Sequence, residues 1–161
     1  MKNRQIPDLI AEIENELDSI NLLFDQLIKT AQSIPRSKVK RQIYEESIAL
    51  KLHNFYTGCE RIFRKIADSV NGGTPDSYDW HIRLLNIMSL ELDKIRPPVI
   101  SKKTASLLKD FLGFRHVIRN IYGFELDSER LTFLLNRLPA AVSGFQNDIS
   151  KFITFLKKLE Q

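Results

Sequence analysis

Cysteine is almost absent from this chain: of 161 residues only Cys59 is one. A lone cysteine cannot close an intramolecular disulfide, which excludes a disulfide-built secreted scaffold and favours a reducing cytoplasm. Cys59 falls in an apolar helical stripe and is read as core, where free cysteine usually sits. Glycine and proline are scarce, six of each, so collagen-like and low-complexity classes are excluded. The opening MKNRQIPDLIAEIENELD has no apolar signal block. No run is apolar for long enough to cross a membrane. These absences predict a soluble, cytoplasmic protein.

What is present suits one folded domain over residues 1–161. That length can bury a proper core, and 43% hydrophobic content argues against disorder. Lys and Arg number 24 against 20 Asp and Glu, a mildly basic balance. It permits a nucleic-acid or nucleotide partner without requiring one.

Helical spacing runs through the whole chain. From Pro7 to Ala31, Ile10, Ile13, Leu17, Ile20, Phe24 and Leu27 recur on one face. Ile34-Pro35 interrupts that pattern. A second stripe of Ile48, Leu52, Phe55, Cys59, Ile62, Ile66 and Val70 predicts a long helix from about Ser37 to Val70. Asn71-Gly72-Gly73 ends it. TPDSYDW reads as a loop, with Asp79 as N-cap of a shorter helix that turns Trp80, Leu84, Ile87 and Met88 inward. Arg96-Pro97-Pro98 closes that region. Ser101 caps a fourth helix expected to run through Tyr122, and Gly123 and Asp127-Ser128 break the chain again. A last helical stretch reaches towards Leu159, expected to bend or split at Pro139. No strand alternation, repeat or linker appears. The predicted fold class is all-α, a single bundle of about five to six helices.

One stretch stands apart: FRHVIRNIYGFELD, Phe114 to Asp127. On an ideal helix Leu107, Phe111, Phe114, Ile118 and Ile121 share an apolar face. Arg119 and Tyr122 follow Arg115 on a neighbouring strip, and His116 and Asn120 form a second row four residues apart. A solvated face is usually rich in Lys and Glu, and this one is not. Guanidinium groups make forked hydrogen bonds to phosphate, so the composition suits phosphate binding.

Elsewhere the signals are weaker. His53 and His81 have no further ligand at metal spacing, so no zinc site is expected; His81, at a helix start, caps or packs locally. Glu60 reads as a surface glutamate, with the alternative that it orients an arginine of the motif helix. Gly72-Gly73 lacks the lysine of a phosphate loop and reads as a helix stop. Arg36, Lys38, Lys40 and Arg41 form a basic helix start, either a solvated end or a surface that steers RNA.

The sequence resembles the HEPN superfamily, and most closely its HepT-like branch. HepT-like toxins carry an arginine, four residues, a histidine, one residue and a tyrosine. Arg115 matches the arginine, His116 the polar residue after it, and Tyr122 the tyrosine. Asn120 stands where the histidine belongs. LHNFYTGCERIFRKIADSVNG and the Trp80-His81 helix start extend the similarity over roughly Leu52 to Asp127. The resemblance implies a HEPN-like helical bundle and a metal-independent endoribonuclease without a cofactor. It implies a homodimer with its motif helices facing a shared cleft. It also implies an MNT-like nucleotidyltransferase antitoxin that attaches AMP to the motif tyrosine, here Tyr122. The implied site is Arg115, His116 and Asn120, with Arg119 and Tyr122 binding substrate or carrying the modification. An amide has no protonation equilibrium near neutral pH and cannot act as acid or base. Asn120 therefore leaves three readings: an inactive site, an acid/base moved to His116, or a silencing substitution. The alternative function is a non-catalytic HEPN module that binds a nucleotidyltransferase or a nucleotide.

Overall fold

The computed structural model describes residues 5–160. Met1–Arg4, the start of the stretch searched for a leader, and Gln161 lie outside the described residues. Five α-helices follow one another: α1 Gln5–Gln32, α2 Lys38–Ile66, α3 Trp80–Met88, α4 Lys102–Ile118 and α5 Ser128–Lys158. A π turn, Ala67–Asn71, follows α2, and a 3-10 turn, Gly123–Glu125, precedes α5. The all-α bundle expected from periodicity is the observed one. Among the described residues no helix is long and apolar enough to cross a membrane.

The central element is α2, which packs against each of the other four helices. Its sequence explains this. Beyond the stripe of Ile48, Leu52, Phe55, Cys59, Ile62 and Ile66, it also buries Tyr56, Glu60 and Phe63. The apolar surface is thus too wide for a single neighbour. Phe55 meets Phe111 of α4 edge-on at 5.2 Å, and Phe63 meets Phe145 of α5 at 5.7 Å. Against α1 the backbone comes close at Gly58, where a Cβ would stand 2.9 Å from Ile20 Cγ1. Lys65 and Arg61 bridge to Glu12 and Glu16 along the same seam.

A turn after α2 and one buried arginine position the short helix α3. Gly72, at φ 88°, adopts the left-handed conformation that ends the π turn after α2. Arg96 is 3% exposed and donates to the carbonyls of Ile87, Leu90 and Pro97 and to Asn71 Oδ1. Its guanidinium thus serves the Ile87 carbonyl near the end of α3 and fastens that end to the π turn after α2. Burial lowers the Arg96 pKa. At the other end Asp79 occupies the N-cap position of α3 but makes no cap bond. Its Oδ1 accepts instead from Ser77 Oγ at 2.8 Å.

Ser101 caps α4 as expected, its Oγ accepting from the Thr104 amide at 3.1 Å. One expectation needs correction, and a second is narrowed, since the last helical stretch is not split at Pro139. α4 stops at Ile118, with Arg119 as C-cap, so Tyr122 does not continue the helix. α5 runs unbroken through Pro139. Pro139 lies on the exposed side of α5, where water can serve the carbonyl that the missing N–H leaves free.

Candidate functional site

The end of α4 and the start of α3 enclose a cleft of about 560 Å³. α4 and its C-cap turn supply Arg115, His116, Arg119 and Asn120, and α3 supplies His81. Tyr78 and Asp79, just before α3, complete the mouth. Four of the five residues singled out in the sequence therefore share one cavity.

Asn120 is there because it ends the helix. Its Nδ2 donates to the His116 carbonyl at 2.9 Å, one turn back. That bond serves an orphan carbonyl at the C-terminus of α4. Tyr122 is the residue the cleft leaves out. It is extended, 72% exposed, and its ring stacks on Phe124 at 5.4 Å with only 6° between planes. Three contacts produce this. The Asn120 amide closes the helix, Glu125 Oε2 accepts from the Tyr122 N–H at 2.8 Å, and Gly123 lies against Glu46 of α2. A Cβ at Gly123 would sit 2.5 Å from Glu46 Oε1, so a larger residue there would push the exposed Glu46 side chain aside.

Behind the cleft lies a group that helix spacing did not reveal. Glu60, in the C-terminal part of α2, is 5% exposed. Its Oε2 stands 2.6 Å from His81 Nδ1. Glu60 is neither a surface residue nor the direct partner of a motif arginine; it holds a histidine, which in turn touches Arg115. The signal was available: Glu60 follows Tyr56 by four residues and precedes Phe63 by three, on the face that α2 buries. Trp80 stacks on the His81 ring at 3.6 Å, and Arg64 of α2 lies over the Trp80 ring.

A carboxylate accepts only, so Nδ1 of His81 carries the hydrogen of the bond to Glu60. Arg115 Nη1 is 3.1 Å from His81 Nε2 and 3.4 Å from Nδ1. A donor aligned on the in-plane lone pair of Nε2 would stand much farther from Nδ1. The guanidinium nitrogen therefore lies over the face of the ring, and the Nε2 edge is not its target. Arg115 Nε is buried without a hydrogen-bond partner, as is the hydroxyl of Tyr56. Burial, with the nearby Glu60 charge second, pushes the Tyr56 pKa far up, so the phenol stays neutral. Burial likewise raises the Cys59 thiol, which lies in the core as expected. Among the described residues no group of three or more His, Cys, Asp and Glu side chains is arranged to hold a metal.

A family model described as HepT-like protein matches residues 47–156, more than half of the chain. The chain belongs to the HepT-like family. Searches of the curated proteins and of the solved structures found no match. The matched span takes in most of α2, all of α3 and α4, and nearly all of α5. Every residue of the HepT-like cleft named above, together with Glu60 behind it, falls inside it.

Proposed function

We propose that this HepT-like chain, as one HEPN-like domain of residues 1–161, is a metal-independent endoribonuclease that works in the cytoplasm as a homodimer. The observation that carries the reading is the convergence of Arg115, Arg119 and His116 on one cleft at the N-terminus of α3. Two guanidinium groups are forked donors for phosphate oxygens. The positive end of the α3 dipole adds to the field, and the Asp79 side chain does not cap it. Arg115 lines the cleft, where phosphate oxygens would give its guanidinium acceptors. In cleavage, Arg115 stabilises the charge that develops on the phosphoryl oxygens. His116 is exposed and can exchange protons with substrate.

One chain supplies the cleft from only two helix ends, and a second copy with Arg115 near the two-fold axis would enclose the phosphate. The regulatory partner in this reading is an MNT-like nucleotidyltransferase that places AMP on Tyr122. The exposure of that ring leaves its hydroxyl open to such a partner.

The test is incubation of the purified protein with total cellular RNA in excess EDTA. Cleavage that Arg115→Ala reduces by ~10²–10³-fold supports the reading. Absence of cleavage, or cleavage only with a divalent metal, contradicts it. The second reading is a non-catalytic module that binds a nucleotide or a nucleotidyltransferase. It is favoured by Asn120, an amide at the histidine position whose nitrogen is engaged with the helix end. Retained RNA or nucleotide binding without cleavage would select it.

A further inference from the structure

Asn120 offers no proton acceptor at the motif position, and His116 alone cannot both take one proton and give another at the same moment. A second imidazole lines the same cavity. The rings of His81 and His116 are 6.3 Å apart and nearly perpendicular. They differ in their surroundings. His116 is exposed on the last turn of α4. His81 is only 17% exposed at its side chain, and its Nδ1 is held 2.6 Å from a carboxylate that is itself buried.

We infer that His81 is the general base of this site and that Glu60 is its positioning residue; the inference rests on the ribonuclease reading above. A carboxylate bonded to one ring nitrogen fixes the tautomer, orients the ring and makes the other nitrogen a better proton acceptor. Glu60 fixes the hydrogen on Nδ1, which leaves the lone pair on Nε2. Trp80, stacked at 3.6 Å, sets the plane of the ring. Arg115 touches the ring face, so the phosphate it binds is brought next to the imidazole. Arg96 fastens the far end of α3 to the turn after α2 through Ile87 and Asn71.

The step balances as follows. His81 Nε2 takes the proton of the ribose 2′-hydroxyl. The 2′-oxygen forms a bond to phosphorus, and the bond from phosphorus to the 5′-oxygen breaks. Its electron pair goes to that oxygen, which takes a proton from the imidazolium of His116. The products are a 2′,3′-cyclic phosphate and a 5′-hydroxyl. Water then removes the proton from His81 and returns one to His116. The negative charge of Glu60 offsets the positive charge that His81 acquires.

The discriminating variant is His81→Gln, whose amide can still donate to Glu60 and so keeps the buried carboxylate partnered. Cleavage of total cellular RNA in EDTA is measured beside binding of a fluorescent single-stranded RNA. The expected result is a loss of ~10²–10⁴-fold in cleavage, with RNA affinity changed less than about threefold. In His81→Ala, added imidazole should restore part of the activity, which a merely structural histidine would not allow. Glu60→Gln should lower kcat by at least about tenfold and leave KM nearly unchanged. Wild-type cleavage that His81→Gln leaves intact overturns the assignment of His81 alone. Equal losses of binding and cleavage in His81→Gln, with no rescue of His81→Ala, also overturn it. A wild-type protein that binds RNA and never cuts it overturns the ribonuclease reading and this base with it.

Discussion

Glu60 Oε2 and His81 Nδ1 meet at 2.6 Å, although 21 residues separate them in the chain. The bond joins the C-terminal part of the central helix to the first turn of α3, directly behind the cleft. Tyr56, one turn before Glu60, lies in the same interior with its hydroxyl unpartnered.

These neighbours should respond to mutation in opposite senses. Glu60→Ala removes the acceptor of His81 and should destabilise the fold by roughly 1–3 kcal/mol. Tyr56→Phe removes a buried hydroxyl that has no partner, and should leave stability unchanged or raise it by up to ~1 kcal/mol. Urea unfolding of both variants checks this. A large loss in Tyr56→Phe would mean that the hydroxyl has a partner in solution.

Much of the fold was legible in the sequence because one periodicity governs it. The stripes of α1 and α2, the Ser101 cap and the Gly72 stop are local, and local chemistry dictates them. The cleft residues Arg115, His116, Arg119 and Asn120 were also legible, since they are neighbours on one helix and its cap. What escaped was set by contacts between elements. The place of Tyr122 depends on Glu125 and on Gly123 meeting Glu46, and no helical wheel contains those contacts. Glu60 and His81 become partners only when α2 and α3 pack. At Pro139 the helix is not split, because the proline lies on the exposed side, where water can serve the freed carbonyl.

The homodimer can be examined without any substrate. Light scattering at micromolar concentration should give the mass of two chains. Crosslinking of a cysteine placed at Arg119 should join the two copies, because the motif helices are expected to face one another. A monomer, or a dimer in which that position does not crosslink, opposes the arrangement.

Asn120→His puts an ionisable ring at the motif position and should raise RNA cleavage. It also removes the amide that caps the His116 carbonyl. The same variant should therefore lose about 0.5–1.5 kcal/mol of stability. Cleavage rates and thermal melts are to be measured on the same preparation. If the rate is unchanged while the wild type cuts efficiently, position 120 does not touch the reacting groups.

Tyr122 makes the regulatory proposal testable by mass. Incubation with ATP and an MNT-like nucleotidyltransferase should add one AMP to the wild-type chain and none to Tyr122→Phe. The adduct should suppress RNA binding, because it adds a negative phosphodiester and a bulky base three residues along the chain from Arg119. AMP found only on other residues would remove Tyr122 from the scheme.

The most direct measurement is the chemistry of the RNA ends produced in excess EDTA. An arginine-stabilised attack by the ribose 2′-hydroxyl must leave a 2′,3′-cyclic phosphate on one fragment and a 5′-hydroxyl on the other. Those two ends, their yield falling ~10²–10³-fold in Arg115→Ala, are what the account predicts. Fragments ending in a 3′-hydroxyl and a 5′-phosphate, or RNA left whole by the wild-type protein, would contradict it.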